Sequence, residues 1–468
     1  IYELKKIGIN VYPNKFEKKE SIKECLAKKI GRGEPTAGRV IAKRDIGGII
    51  FSDLRDFSGE IQIVLNRQKI GEKDFSFFND FIDIGDIIGI DGRLIKTKTG
   101  QKSILVKKTT IISKSTRPLP SKWYGLQDKE ERYRKRYLDL IMNPHVRYVF
   151  EKRAKILKIM REFMEENDFI EVETPLLQSV YGGAMAKPFK THIDAYDEDV
   201  FLSIAPELPL KKCLVGGFER VFEITKKFRN EGVDRNHNPE HMTLEWYQAY
   251  ADYEEGMRLF EELMKRISKE IFGKFVFEYQ GNRIDISKWT KITLADAIKK
   301  YLKEDVSKVK SDYDAKELAK KYNIDTKNVS KSNIQDELMK LFREKLIQPT
   351  FLIDYPIEFS PLAKPKEKNK GVAEVFQPFV GGLELARGYS ELNDPELQEE
   401  NFRKQEEERK AGNMEAMPTD KDFITALEYG MPNACGVGIG IERVVMLFTD
   451  NSSIRDVILF PFMKPLDE

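Results

Sequence analysis

From Phe218 to Tyr253 the chain reads FERVFEITKKFRNEGVDRNHNPEHMTLEWYQAYADY: a strand, a long polar loop and a second strand. In the second strand His241, Thr243, Glu245, Tyr247 and Ala249 share one face by the period of two, and Met242, Leu244 and Trp246 share the other. The apolar face is core and the polar face is ready for a ligand. Arg229 ends the first strand, where a guanidinium can grip a phosphate or carboxylate through two parallel bonds. Any one of these residues alone would read as a surface ion pair. Arg229, Glu231, Glu245 and Tyr247 converging on one hairpin argue for a site.

A second constraint lies in ACGVGIGIERVVMLFTD, Ala434 to Asp450. Gly436, Gly438 and Gly440 alternate along a strand and let a ligand approach the backbone closely. Arg443 falls in the first turn of the following helix, where an anion also meets free backbone N–H groups. Because the glycines lie within the strand, the dinucleotide-binding fingerprint does not apply.

A length of 468 residues suggests about three domains. Between Thr36 and Ser113, GRVIAKRD, GIIFSDLRD, EIQIVLN, DIIGIDGRLIKT and KSILVKKTTII read as five short strands separated by Gly, Asp and Asn turns. That pattern predicts a small closed barrel of the oligonucleotide-binding type. Phe51 on its second strand is either a base-stacking residue or a core residue. Lys and Arg outnumber Asp and Glu 24 to 15 over residues 1–120 and are outnumbered 55 to 62 in the remainder, which points the first part towards a polyanion. The barrel domain, with a leading helix near Glu20–Ile30, is expected at 1–115, and a linker at 116–140 holding RPLPS (Arg117–Ser121) and DKEERYRKRYLD. A larger domain follows at 141–468. In it Val149, Ile156, Met160 and Phe163 mark an amphipathic helix of about five turns. After it comes IEVETPLL, a strand broken at Pro175. The Lys/Asp-rich stretch at about 273–350 reads as a helical insertion capping a site.

Charged residues make up 33% of the chain, and no apolar stretch approaches the ~20 residues of a membrane span. Cys25, Cys213 and Cys435 are isolated, which excludes a disulfide scaffold, and with only four histidines a zinc site is not expected. A reducing cytoplasm fits best. No signal peptide opens the chain, and a start at Ile1 rather than Met implies preceding residues.

ETPLL, FRNEG…HNPEH…EWY and GIGIER resemble the three motifs of class II aminoacyl-tRNA synthetases. GGAMAKPF, APEL, SPLAKP and GYSELNDP are similar specifically to the class II lysyl-tRNA synthetases. The resemblance runs from Lys5 almost to the carboxyl end. It implies an α+β fold, with an N-terminal five-stranded OB-fold barrel that binds the anticodon and a catalytic domain on a six-stranded antiparallel sheet flanked by helices. The implied activity is a lysine–tRNA ligase that forms lysyl-adenylate from L-lysine and ATP and passes it to the 3′ end of tRNA(Lys). A homodimer is implied too, with the long helix and Pro175 at its interface, and no membrane partner. Arg229 and Arg443 would be the catalytic arginines. ATP would meet Arg229, Asn230, Glu231, His237, Asn238, His241, Glu384, Leu385, Gly440, Ile441, Glu442 and Arg443. Lysine would meet Gly183, Glu207, Glu245, Tyr247, Arg387, Tyr389 and Glu391, with Glu391 taking the ε-ammonium, Glu207 the α-amino group and Arg387 the α-carboxylate. Mg²⁺ would sit at Glu384 and Gln377, and the anticodon at Arg39, Phe51 and Gln62.

Three positions depart from the family pattern: His241 replaces an adenine-stacking Phe, Gln377 a metal-binding Glu, and Arg387 an Asn. The rival readings are an aspartyl- or asparaginyl-tRNA synthetase, whose pocket would need cationic readers, and a non-catalytic RNA-binding or regulatory paralogue, which would lack one of the two arginines. A ligase that lysylates a protein would lack the barrel.

Overall fold

The computed structural model describes residues 1–120, 126, 128–327, 329–410, 412, 413 and 415–466. It divides into two compact units, Ile1–Gln127 and Asp128–Glu468. Ser121 of the expected linker lies outside the described residues, as do residues 122–125 and 127.

In the first unit β1 (Thr36–Asp45), β2 (Ile49–Arg55), β3 (Glu60–Asn66), β4 (Ile87–Lys96) and β5 (Lys102–Ser113) close a barrel in the order β1-β2-β3-β5-β4. Alternation sets the faces. Ile50 and Leu54 are fully buried in the barrel core with Ile63 and Ile88, whereas Phe51 is half-buried and outside it. The core reading of Phe51 therefore fails. The leading helix α1 (Ile22–Ala27) starts from a Ser21 capping box completed by Glu24. A helix not separated from the strands in the sequence, α2 (Glu72–Phe81), delivers Phe75 and Phe78 to the barrel core.

The second unit begins with Lys129–Arg134 and Arg136–Met142, two helical segments where a linker was expected. Their polar sequence conceals a buried pair: Arg136 Nη1 donates to Asp139 Oδ2 at 2.7 Å, with both side chains inaccessible. The long helix α3 (Pro144–Glu166) starts earlier than its apolar stripe, because Pro144 occupies the first turn, where a missing N–H costs nothing. It ends at Asn167.

Beyond it lie β6 (Ile170–Glu171), α4 (Glu207–Val215), β7 (Arg220–Phe228), β8 (Glu240–Ala249) and α5 (Tyr253–Phe272). Asp252 caps α5 by accepting from the Glu254 and Glu255 N–H groups, and Gly273 closes it in the left-handed conformation. Then follow β9 (Thr290–Thr293), β10 (Thr350–Pro356), β11 (Val372–Val380), β12 (Leu383–Glu384), β13 (Ala386–Ser390), α6 (Pro395–Lys410), α7 (Lys421–Glu428), β14 (Ala434–Gly440) and α8 (Ile441–Thr449). The sheet order is β9-β10-β11-β13-β14-β8-β7-β6, with β12 on β11. The six central strands, β10 to β7, are antiparallel as the resemblance implies. The sheet is wider than that, because short parallel strands β9 and β6 extend its edges. One face packs on α3, α5 and α8 through Met160, Phe163, Leu244, Trp246, Phe260, Leu263, Phe376 and Val437. The expected helical insertion is mixed. Among the described residues it holds three α-helices, two short 3-10 turns, a hairpin (Val276–Tyr279 with Asn282–Asp285) and the edge strand β9. No helix among the described residues is long and apolar enough to cross a membrane.

Candidate functional site

The site is written in the register of three neighbouring strands. Across β8, β14 and β13, Tyr247 pairs with Gly436 and Gly436 with Tyr389; Glu245 pairs with Gly438 and Gly438 with Arg387; Thr243 pairs with Gly440. Directly paired residues share a face, so a glycine lane runs between two rows of polar side chains. The lane is needed sterically: a Cβ on Gly436 would lie 2.2 Å from Glu391 Oε1 and 2.3 Å from the Tyr247 ring.

At one end of the lane an acidic pocket forms. Glu207, Glu245 and Glu391 are all buried, with Tyr247 and Tyr389 beside them. Tyr389 Oη donates to Glu207 Oε2 at 2.6 Å. Gly183, at φ +84°, packs against Glu207, whose Cβ would be 2.7 Å from any Cβ there. Burial pushes the Glu245 carboxyl up to about 7, against the pull of Lys227. The pocket also holds a residue that sequence reasoning missed. Lys211, wholly buried on α4, donates from Nζ to Glu207 Oε1 at 2.7 Å and forms an ion pair with Glu391 Oε2. Glu207, expected to read an α-amino group, thus already serves Lys211 and Tyr389. The one sequence signal was the i,i+4 spacing of Glu207 and Lys211 on a helix.

Arg387 shares a face with Tyr389 and Glu391, and its guanidinium is bonded to the 355–360 segment and not to a pocket carboxylate. Nη2 donates to Ser360 Oγ at 2.7 Å and to the Phe359 carbonyl at 3.3 Å, and the group lies over the Phe359 and Tyr355 rings. Aromatic faces and a hydroxyl at the start of SPLAKP capture the cation before a pocket carboxylate does.

The other end of the lane is cationic. Arg229 follows β7 with Nε 3.4 Å from the Ile204 carbonyl. Arg443 donates to the Glu384 carbonyl at 3.0 Å and meets His237 Nε2 at 3.3 Å, while His237 Nδ1 faces Asp234 at 2.8 Å. His241 lies near both arginines, and burial with those two charges depresses its imidazole to about 3, so it is neutral. Asn238 donates to the Glu240 carbonyl at 2.6 Å and leaves its buried Oδ1 without a partner. Asn230 is exposed and Glu231 half-buried. Leu385 and Ile441 point into the core, so only their backbones face the site; the Leu385 carbonyl accepts from Gly440 N at 3.0 Å.

Two expected ligands are otherwise engaged. Glu442 is a strut: Oε1 accepts from Arg153 on α3 at 2.7 Å and Oε2 from the Met242 N–H at 3.0 Å, so its buried carboxylate ties elements together. Gln377 spends both ends of its amide, donating to Glu384 Oε1 at 3.3 Å and accepting from Tyr355 Oη. It does not fit a metal ligand. Glu384, half-buried and one of the two acidic positions of the family pattern, does fit, since Mg²⁺ commonly takes one or two carboxylates and completes its shell with phosphate and water.

In the barrel, the pairs Arg39–Arg55, Phe51–Val64, Asp53–Gln62 and Gln62–Ser103 put Arg39, Phe51 and Gln62 on one face. Ser103 Oγ donates to Gln62 Oε1 at 2.9 Å, and Arg39 donates to the Gly85 carbonyl at 2.6 Å.

Residues 128–464 match the tRNA synthetases class II (D, K and N), and residues 36–112 match the OB-fold nucleic acid binding domain. Among curated proteins, the chain is 46% identical to a lysine–tRNA ligase of Thermoanaerobacter pseudethanolicus over 99% of its own length and 94% of the relative's. It is 46% identical to one of Carboxydothermus hydrogenoformans (99% and 96%) and 48% identical to one of Clostridium botulinum (93% and 87%). With a matching catalytic family over more than half the chain and relatives of this identity over nearly all of it, the protein belongs to the class II lysyl-tRNA synthetase family.

Proposed function

We infer that the protein is a lysine–tRNA ligase: it activates L-lysine with ATP to lysyl-adenylate and transfers the lysyl group to the 3′ end of tRNA(Lys). The observation that carries the choice of lysine is the buried acidic pocket of Glu207, Glu245 and Glu391 at the end of the glycine lane. A buried ammonium costs several kcal/mol unless carboxylates meet it, so this pocket selects a cationic side chain and disfavours aspartate or asparagine.

The lysine carboxylate, ionised without help from a base, attacks the ATP α-phosphorus in line, and pyrophosphate leaves. The chain's contribution is alignment and charge neutralisation. Arg229 holds the α-phosphate. Arg443 meets the γ-phosphate, with His237 and Asn238 from the loop. Glu231 reads the adenine amino group, and neutral His241 stacks on the ring. Mg²⁺ carried in with ATP would be held by Glu384 and the phosphates, and would neutralise charge on the leaving group. The Arg39–Phe51–Gln62 face of the barrel takes the anticodon. A homodimer is supported by exposed Ile170, Leu176 and Leu177 around Pro175, and a cytoplasmic location by three free thiols.

Amino-acid-dependent ATP–pyrophosphate exchange, run across the amino acids, tests the assignment. Lysine alone should support exchange. Preference for aspartate or asparagine, or no exchange with any, would overturn it.

A further inference from the structure

The unexplained group in the pocket is Lys211. Its ammonium is fully buried between two carboxylates, and the rings of Tyr389 and Phe423 stand 5.7 and 5.8 Å away. Neither oxygen of Glu391 accepts an aligned hydrogen bond. Oε2 is in ionic contact with Lys211, and Oε1 lies over Gly436 beside the Tyr247 ring. The carboxylate therefore has one partnered oxygen, Oε2, and one buried unpartnered oxygen, Oε1, which lies against the lane at Gly436.

We propose that Lys211 is a resident counter-ion of the lysine pocket, a positioning residue that fixes Glu391 by its Oε2 edge so that Oε1 can receive the substrate's ε-ammonium. This rests on reading Glu391 as the ε-ammonium receptor.

The electrostatics agree with the geometry. The groups facing Glu391 are Lys211 and Glu207 from α4, Glu245 and Tyr247 from β8, Tyr389 from β13 and Cys435 from β14. Burial drives the Glu391 carboxyl well above its ordinary value; Lys211 opposes that rise, and Glu207 and Glu245 add to it. Lys211 is thus the largest cationic pull on this carboxyl, and against burial the two carboxylates hold its ammonium above its ordinary value. Without it the carboxyl would rise further and Glu391 would become a poorer receptor for a cation. A tethered ammonium between acids could instead be a competitor that substrate must displace, and the two roles predict opposite effects on affinity.

The test is the lysine KM of Lys211→Met and Lys211→Gln relative to wild type, by pyrophosphate exchange from pH 6.5 to 9. The ratio cancels titration of the substrate. It should be tenfold or more at pH 6.5 and shrink as pH rises, with ATP KM and kcat changed far less. Lys211→Arg, which keeps the charge, should give a ratio that does not vary with pH. Circular dichroism separates misfolding from lost recognition, and Lys211→Gln, which can still bond Glu207, carries the test if Lys211→Met does not fold. A pH-independent ratio for the neutral variants, or a KM below wild type, would overturn the proposal. Glu391→Gln keeps the two failures apart: if it leaves lysine KM unchanged, the pocket reading is what fails.

Discussion

Arg229 lies one residue beyond the end of β7, where its charge meets Glu231, Glu245 and Glu384 as well as Arg443. Its hydrogen bond to the fold is one long contact with the Ile204 carbonyl. Arg229→Ala should therefore leave far-ultraviolet dichroism unchanged while lowering exchange by roughly 10²–10³-fold, the scale of losing one preorganised donor to transition-state charge. Exchange within a few-fold of wild type would refute its role. Glu245 gives a pH signature. With its carboxyl at about 7, the ionised form gains population as pH rises through neutrality, and a cationic substrate binds that form better. The lysine KM should fall between pH 6 and 8, and Glu245→Gln should flatten that part of the profile. His241 should contribute nothing there, since it is neutral far below this range. Much of this was legible in the sequence, because strand parity places every side chain of a hairpin. Lys211 was not. Its partner Glu391 is 180 positions away, and the adjacent pair Lys211–Lys212 on a short helix reads as surface.

Elements are held in place by side chains that motif reading assigns to ligands. Glu442 joins α8 to β8 and α3, and removing it leaves Arg153 beside a freed backbone N–H. Glu442→Ala should cost about 3–5 kcal/mol in denaturant unfolding, the scale of breaking a buried pair from one side. Nucleotide affinity should suffer only in proportion to lost fold. Arg387 fastens β13 to Phe359 and to Ser360 at the start of SPLAKP. Arg387→Asn should lower stability by about 1–3 kcal/mol and leave lysine KM within a few-fold. A raised lysine KM with unchanged stability would restore the substrate-binding role. Spacing reveals that Glu442 and Arg387 sit beside the site, but not which neighbour captures them, because the captors come from α3 and from the 355–360 segment. The same limit hid β9: four residues, Thr290–Thr293, carry too little pattern to distinguish an edge strand from a loop.

At the scale of the molecule, each unit has its own apolar core. A chain beginning at Asp128 should retain lysine activation and lose tRNA charging at least tenfold, and that loss should shrink as salt weakens the full-length protein's own binding. Phe51→Ala, outside the barrel core, should fold normally and weaken tRNA binding without altering lysine-dependent exchange. An unfolded barrel would refute the stacking role. The two-unit plan was readable because the switch from period two to period 3.6 is long and repeated. The buried Arg136–Asp139 pair was not, since a run rich in charge gives no sign of which charges turn inward.

Gly436 has a consequence for the history and redesign of this enzyme. With Glu391 Oε1 and the Tyr247 ring both within 2.3 Å of where a methyl group would begin, even alanine is excluded there unless the recognition carboxylate moves. The depth of the pocket is therefore set by main chain, which point mutation does not trim or extend. A change of amino-acid specificity has to begin at the walls, by exchanging Glu391 or Tyr247 before the floor can change, and each such first step gives up lysine before another substrate is gained. Variation at position 436 should be frozen in selection experiments that permit broad change around it.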